Sequence, residues 1–199
     1  MFKLKHSREA GRALSLFLVG AAALCTTGCT DYGSVEQGRV IAFNKKTGQV
    51  TMIRDSTGGA KPQAAYNGLP PILVKSPADP DEMGPDPQAG RLMDVDLKNH
   101  VVTIYDSTAN QMRTLSYTPL EEKHNVAKGT GLPLVDKEKR KISVYWREAH
   151  TVVTFPATDE MLAMPADAWK AGDIVRYYFK DPAQALRMMN VTRTDLTKS

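Results

Sequence analysis

Cysteine is scarce in this 199-residue sequence, which holds only two, at positions 25 and 29. Two cysteines so close together cannot cross-link a small disulfide-rich scaffold or supply a Cys-rich metal cluster. Both of these protein classes are therefore excluded. Apolar residues are not scarce, because they make up 42% of the sequence. That proportion exceeds the level found in disordered proteins and is enough for one or two small globular domains.

A strong positive charge is also missing from most of the chain. The whole sequence carries 26 basic and 22 acidic side chains, and residues 1–28 hold four of the basic ones beside a single glutamate. The remaining residues hold 22 basic and 21 acidic side chains, a net charge of +1. Because nucleic-acid binding draws much of its affinity from cationic side chains on phosphates, we expect no nucleic-acid partner.

No apolar run is long enough to cross a bilayer as a helix, but a shorter one follows the basic N-terminus. It extends over residues 13–24 without a charged side chain and leads through small residues to Gly28 and Cys29. This layout is typical of a secretory signal. It also resembles the lipobox of bacterial lipoproteins, in which a dedicated peptidase cuts before a diacylglyceryl-modified cysteine. Thr26 departs from the lipobox pattern, which places Leu, Val or Ile three residues before the cysteine.

The resemblance implies that the protein is located in the cell envelope. Residues 1–28 would be a lipoprotein signal peptide, Cys29 the acylated first residue, carrying palmitate or a similar chain, and residues 29–37 a tether to the membrane. Thr30, in place of Asp, favours the periplasmic face of the outer membrane over the inner membrane. The alternative is an ordinary secretory signal cut after Ala23, which would leave two thiols free or paired.

Four hairpin patterns follow the tether, each with a glycine, an apolar run, a charged turn and a β-branched run. The opening glycines stand at positions 38, 90, 131 and 172, separated by 52, 41 and 41 residues. Runs rich in Val, Ile and Thr around short Asn-, Asp-, Lys- and Gly-containing turns are typical of hairpins. The regular spacing indicates an internal repeat.

Each half of the chain adds a single strand and an Asp-Glu-Met segment, which gives the element order of the OB-fold, a small five-stranded barrel. In the second half we expect Thr158 to cap a short helix and Pro165 to begin another turn. The sequence therefore predicts an all-β protein of two tandem five-stranded OB-like barrels, at 38–119 and 131–195, joined by a polar linker at 120–130. The alternative is one β-sandwich of ten short strands, because hairpin patterns define neighbouring pairs but not closure.

Two family resemblances cover this region. Residues 37–43 and 171–178 resemble a family of uncharacterised bacterial lipoproteins with a domain of unknown function. This resemblance supports a location in the cell envelope and implies no activity. Residues 169–179 are also locally similar to small periplasmic OB-fold copper chaperones.

Catalytic motifs are missing from the sequence, which has no Gly-x-Ser-x-Gly elbow, Walker loop or Gly-x-Gly-x-x-Gly turn. His100, His124 and His150 have no metal-binding spacing, and we interpret them as surface residues. We therefore predict no cofactor and no enzymatic activity. The favoured function is a membrane-anchored envelope lipoprotein that binds a protein partner or an envelope component.

The candidate site residues are four methionines and a tryptophan, considered as a soft-metal site, and one tyrosine. Thioethers select Cu(I), so a periplasmic Cu(I)-binding, chaperone-like protein is the alternative function. Its ligand set would be Met161, Met164, Trp169, Met188 and Met189, although core packing also explains the methionine spacing.

Period-two alternation along a strand supplies the other candidate. If Trp146 packs with Ile142 and Val144, Tyr145 points outward as a candidate ligand-face residue.

Overall fold

The computed structural model describes residues 32–58, 64–127 and 131–194, and strands dominate all three ranges. The strands of these ranges are β1 (Ser34–Asn44), β2 (Gln49–Asp55), β3 (Tyr66–Lys75), β4 (Leu92–Asp96), β5 (Val101–Asp106), β6 (Gln111–Ser116), β7 (Glu121–Lys123), β8 (Leu134–Asp136), β9 (Lys141–Trp146), β10 (Thr151–Pro156), β11 (Ile174–Asp181) and β12 (Gln184–Asn190). One short helix, α1 (Asp159–Ala163), and two 3-10 turns, Pro80–Glu82 and Ala166–Trp169, complete them. The all-β prediction is confirmed.

All four predicted hairpins are present, because their turns are built from local hydrogen bonds. Between β4 and β5, the Asp96 carboxylate accepts from the amides of Lys98 and Asn99 at 3.0 and 2.9 Å. His100 then closes the turn in the left-handed region, with φ of 53°. A short polar side chain that accepts from the amides after it shapes a turn without help from the rest of the fold. Equivalent anchors in the other three hairpins are Asn44, Asp136 and Asp181.

Five strands close into a barrel in the order β1, β2, β3, β12, β11 and back to β1. Neighbouring strands are antiparallel except β3 and β12, which meet in parallel at Lys75 and Gln184. Alternate side chains fill the interior and form its core: Val40, Val50, Met52, Val74, Val175, Tyr177, Phe179, Ala185 and Met188. The barrel therefore takes three strands from near one end of the chain and two from near the other.

The remaining strands form a second module between β3 and β11. A three-stranded sheet, β4-β5-β6, and a four-stranded sheet, β7-β10-β9-β8, share one core with α1 and the turn that follows it. Phe155 packs edge-on against Trp169 at 5.9 Å and against Tyr117 at 5.0 Å between ring centres. Burial of Ile142, Val144 and Trp146 confirms the predicted alternation of β9.

The sheets do not form two tandem barrels. The single closed barrel combines strands from both predicted halves, 38–119 and 131–195, and residues from Gly33 onward belong to one compact unit. The predicted linker at 120–130 contains β7, whose Glu122 pairs with Val153 of β10. Local turn patterns specified each hairpin, whereas closure depends on pairing between residues more than a hundred positions apart, for which the sequence carries no local signal.

The segment after β10 has the helix cap and the second turn that the sequence predicts. Thr158 caps α1, and its hydroxyl accepts from the Met161 amide at 3.3 Å. Pro165 precedes the 3-10 turn at Ala166–Trp169, because proline suits the first positions of a helical turn.

An apolar cluster and the ion pair of a buried arginine join the barrel to the second module. Ile53 and Tyr66 of the barrel pack against Met93 and Tyr105 of the three-stranded sheet. Beside them Arg39, which is 1% exposed, reaches across to Glu148 with 2.6 Å between Nη2 and Oε1. The barrel and the second module are therefore joined by buried side-chain contacts rather than by a flexible linker.

Candidate functional site

A cleft of about 760 Å³ lies on the barrel. It involves the first residues of β1, the end of β2 and the turn after it, β3, and β11. We call it the barrel cleft, and its lining residues are Val35, Glu36, Gln37, Arg54, Asp55, Ser56, Gly58, Gly68 and Arg176. Barrel openings are common places for ligands, so this cleft is the candidate site.

Strand register places the charged residues around the barrel cleft on two faces of the wall, with Glu36 and Arg54 on the inner face and Arg176 on the outer face. Arg54 of β2 lies opposite Gly68 of β3, and Gln37 of β1 lies opposite Arg176 of β11. A Cβ on Gly68 would lie 3.0 Å from the Arg54 Cβ. The glycine therefore leaves room for the Arg54 side chain at this point of the barrel.

Glu36 is held in place by two neighbours. Its Oε2 accepts a hydrogen bond from the Tyr177 hydroxyl at 3.0 Å, and its Oε1 lies 3.6 Å from Nη1 of Arg54. Burial, and then the hydrogen bond to Glu36, raise the pKa of Tyr177, so its hydroxyl keeps its proton and acts as the donor. The glutamate is therefore oriented toward the cleft by a neutral donor and a nearby cation.

Arg176 has a neutral partner. Its Nε and Nη2 donate to Oε1 of Gln37 at 3.2 and 2.9 Å. The Gln37 amide in turn donates to the Tyr66 hydroxyl at 3.1 Å, so the amide oxygen is turned toward the guanidinium. The amide orients Arg176 without neutralising its charge.

Asp55 shapes the loop beside the barrel cleft. Its Oδ1 accepts from the Thr57 amide at 3.0 Å, the Thr57 hydroxyl at 2.7 Å and the Ala65 amide at 2.9 Å. These bonds bring residues on both sides of the loop to one carboxylate. We assign Asp55 a structural role at the rim.

A second cleft of about 290 Å³ lies between β5, β6 and the helical segment. Its two cations are paired with carboxylates: Arg91 contacts Asp167 through two hydrogen bonds of 3.0 and 2.7 Å, and Arg113 donates to Glu160. Such pairs hold the helical segment on the three-stranded sheet. This smaller cleft has less unused hydrogen-bonding capacity than the barrel cleft.

The five candidate copper residues do not form one group. Met161 and Trp169 lie in the core of the second module, with Met164 packed against it. Met188 lies in the barrel core, and Met189 is 37% exposed on the other face of β12. The structure therefore divides the predicted ligand set between two cores.

Tyr145 is half-buried rather than fully exposed. Its hydroxyl donates to the Val126 carbonyl at 3.4 Å. The segment after β7 therefore limits access to this candidate ligand-face residue. Cys29, the predicted lipidation site, lies outside the described residues.

His100 and His124 both lie near the Glu122 carboxylate at the edge of the second module. Nε2 of His100 and Nε2 of His124 each lie 3.8 Å from an oxygen of Glu122. Burial, followed by the charge of Glu122, raises the pKa of nearby Tyr117 to about 12. In residues 32–58, 64–127 and 131–194, no three His, Cys, Asp or Glu side chains are arranged to hold a metal ion.

The sequence interpretation missed the residues of the barrel cleft. Glu36 and Arg54 belong to the β1–β2 hairpin, whereas Arg176 joins the cleft only through the pairing of β1 with β11. The one local signal was the pair of glycines on strand interiors, Gly38 and Gly68, because such glycines mark close approaches of neighbouring groups. In the part of the chain that the structure describes, no helix is long and apolar enough to cross a membrane.

The fold and the cleft define an all-β protein with a closed five-stranded barrel, a two-sheet module inserted between its third and fourth strands, and a polar cleft on the barrel. The family model described as Domain of unknown function (DUF4881) matches residues 31–199, and the chain belongs to this family. No curated protein and no solved structure matches the chain.

Proposed function

We propose that this protein is a non-enzymatic lipoprotein of the cell envelope, anchored through Cys29, whose barrel binds an envelope component or a protein partner. The observation that carries the proposal is the barrel cleft, a polar opening of about 760 Å³ that begins six residues after Cys29. Its charged groups support a binding role, because each cation is oriented by a neighbouring side chain.

The barrel topology supports a binding role. Its strand order, with a parallel meeting of the third and last strands, is the order expected of an OB-like barrel whose third and fourth strands are separated by a large insertion. OB-folds bind ligands on one barrel face and the flanking loops. Fold analogy alone does not identify the ligand, so the proposal rests on the cleft.

The anchor follows from the sequence. A single acyl chain gives only marginal membrane binding, so stable anchoring requires the several chains of a fully acylated cysteine. Thr30 favours the periplasmic face of the outer membrane. The acyl anchor and the outer-membrane location both extend the lipobox resemblance, and both depend on acylation of Cys29.

Metabolic labelling with a tagged palmitate tests the anchor directly. The wild-type protein is expected to incorporate the label and to sediment with membranes, and Cys29→Ser should abolish both properties. Cys25→Ser is the matched control, because it removes the other thiol and leaves Gly28-Cys29 intact. Labelling that survives in Cys29→Ser, or is lost only in Cys25→Ser, would contradict the proposal.

A further inference from the structure

Chain length restricts where the barrel cleft can lie relative to an acylated Cys29. Val35, the first residue that lines the cleft, is six residues after Cys29. A fully extended chain advances at most about 3.3–3.6 Å per residue, so Val35 lies within about 20 Å of the anchor. The opening of the cleft is therefore held beside the membrane surface, where lipid headgroups are the most concentrated ligands.

The same segment exposes apolar surface that a membrane interface would cover. Tyr32 is 84% exposed and Val35 is 60% exposed. Tyrosine favours the headgroup level of a bilayer, where its ring contacts apolar groups and its hydroxyl contacts polar ones. Both residues lie within six positions of Cys29 in the sequence, and Val35 lines the cleft, so a membrane that covers Val35 also reaches the cleft.

The cations of the barrel cleft have hydrogen-bonding capacity left for a phosphate. Among the described residues, Arg176 donates only to the neutral Gln37 amide. Arg54 is 43% exposed, and its nearest carboxylate oxygen, on Glu36, is 3.6 Å away, beyond a normal hydrogen bond. Guanidinium groups bind phosphate oxygens through paired N–H donors. Arg54 lies on the same inner face as Glu36, whereas Arg176 lies on the outer face, so the phosphate is assigned to Arg54.

A phosphate alone would not match the whole cleft, because Glu36 lies beside Arg54. The Glu36 side chain is 33% exposed and receives one hydrogen bond, from the Tyr177 hydroxyl, so its carboxylate can still accept from an ammonium group. Adjacent charges of opposite sign match a ligand that carries a phosphate and a primary ammonium a few atoms apart.

From this position and chemistry we infer that the barrel cleft binds the headgroup of a phosphoethanolamine-type phospholipid, with the phosphate on Arg54 and the ammonium on Glu36. The inference rests on the proposed function for its membrane partner. A tether this short gives an effective concentration in the millimolar range, so even a weak headgroup contact would hold the barrel on the membrane.

The test uses the full chain carrying Cys29→Ser, which removes the anchor and leaves every described residue unchanged. Amide NMR shifts are followed while dihexanoyl phosphatidylethanolamine is added below its micelle concentration. Dihexanoyl phosphatidylcholine keeps the phosphate but has no N–H donor, and dihexanoyl phosphatidylglycerol keeps the phosphate but has no ammonium group. We expect shifts at the barrel cleft and a preference of about fivefold or more for phosphatidylethanolamine, since one charge-assisted hydrogen bond distinguishes it.

Three variants assign the contacts. Arg54→Gln should weaken binding of all three lipids about tenfold, and Glu36→Gln should remove only the preference for phosphatidylethanolamine. Arg187→Gln is the matched control, because this 68% exposed arginine of β12 pairs with Glu82 away from the cleft and its loss changes the net charge equally. It should leave binding unchanged.

Equal affinity for the three lipids, an equal effect of Arg187→Gln, or inorganic phosphate binding as tightly as the lipid would each overturn the inference. The last result would indicate a free-phosphate site. Headgroup binding with no acylation of Cys29 would instead contradict the proposed function alone, and acylation without headgroup binding would contradict only this inference.

Discussion

Gly90 and Gly172 lie against each other where the barrel meets the second module. A Cβ on Gly172 would lie 3.0 Å from the Gly90 amide nitrogen and 1.9 Å from the Val40 carbonyl oxygen. The Gly90 amide donates to that same carbonyl at 3.1 Å. The two glycines that open the second and fourth hairpin patterns therefore permit a close backbone approach, which any larger side chain would prevent.

Replacing Gly172 by alanine is expected to lower the free energy of unfolding by about 1–3 kcal/mol or more, since backbone atoms must move to admit the Cβ. Urea unfolding measures the change. The control is Gly131→Asn, where φ is +85° and no described atom lies within 4 Å of a Cβ. Asparagine tolerates that conformation, so a change within about 0.5 kcal/mol is expected. Equal losses in the two variants would contradict the packing argument.

The hairpins could be predicted because their determinants are neighbours in sequence. Asp96 and His100 define one turn between them, through carboxylate-to-amide hydrogen bonds and a left-handed residue. Thr158 caps α1 by the same kind of short-range contact. Such features need no knowledge of the rest of the chain, and the sequence pattern identified them.

Barrel closure could not be predicted in this way. Gly38 pairs with Val175, and Lys75 pairs with Gln184, across more than a hundred residues in each case. A β-strand with one buried face pairs equally well with several partners until the whole core is assembled. Arg176 reaches the barrel cleft only through that closure, whereas the predicted tandem arrangement keeps strand pairing local.

The ion pair between the buried Arg39 and the partly exposed Glu148 gives a second prediction. Glu148→Gln removes the anionic partner, leaving Arg39 stacked between Tyr66 and Trp146, with its guanidinium carbon 4.6 and 5.3 Å from their ring centres. The expected loss is about 1–3 kcal/mol of unfolding free energy, because a buried cation loses its charged partner.

An exposed pair of the same length provides the control for this measurement. Lys45 and Asp86 also lie 2.6 Å apart, but their side chains are 81% and 47% exposed. Asp86→Asn should change stability by less than about 1 kcal/mol, because water solvates both groups when the contact is lost. A similar loss for the two pairs would show that burial of Arg39 does not determine the effect.

Acid should weaken the turns that aspartates anchor. Backbone amides donating from Asn99 and Ala109 lower the pKa values of Asp96 and Asp106 in the folded protein. Their stabilisation is therefore complete above the ordinary aspartate pKa of about 4 and is lost as pH falls through the lowered folded values. Asp136 behaves in the same way, with Lys139 as the first donor.

Replacing all three aspartates by asparagine tests this dependence. Asn44 already anchors the first hairpin with a neutral side chain, so the turns should persist in the variant. We expect a small loss of stability at pH 7 and a shallower decline between pH 5 and pH 3, measured by urea unfolding across that range. An unchanged slope would mean that other carboxylates dominate acid unfolding.

Met188 and Met189 are neighbours on β12 with opposite environments. Met188 is 2% exposed in the barrel core, whereas Met189 is 37% exposed. Met188→Ala should lower the unfolding free energy by about 2–4 kcal/mol through loss of core contacts and creation of a cavity. Met189→Ala should change it by about 0.5 kcal/mol or less. Comparable losses would indicate that the register of β12 differs from the one described.

Placement of the methionines in two separate cores also predicts the outcome of a copper titration. Met161 and Trp169 pack in the second module and Met188 in the barrel, so thioethers from both cannot reach one ion without unfolding part of the core. We expect no Cu(I) binding tighter than micromolar when the protein competes with a chelator for the metal. Met188→Leu, which nearly conserves volume, should leave both the titration and the Trp169 fluorescence unchanged. Tight binding that quenches Trp169 and is lost in Met188→Leu would require the two cores to open toward each other, and would make copper handling the better account of this protein.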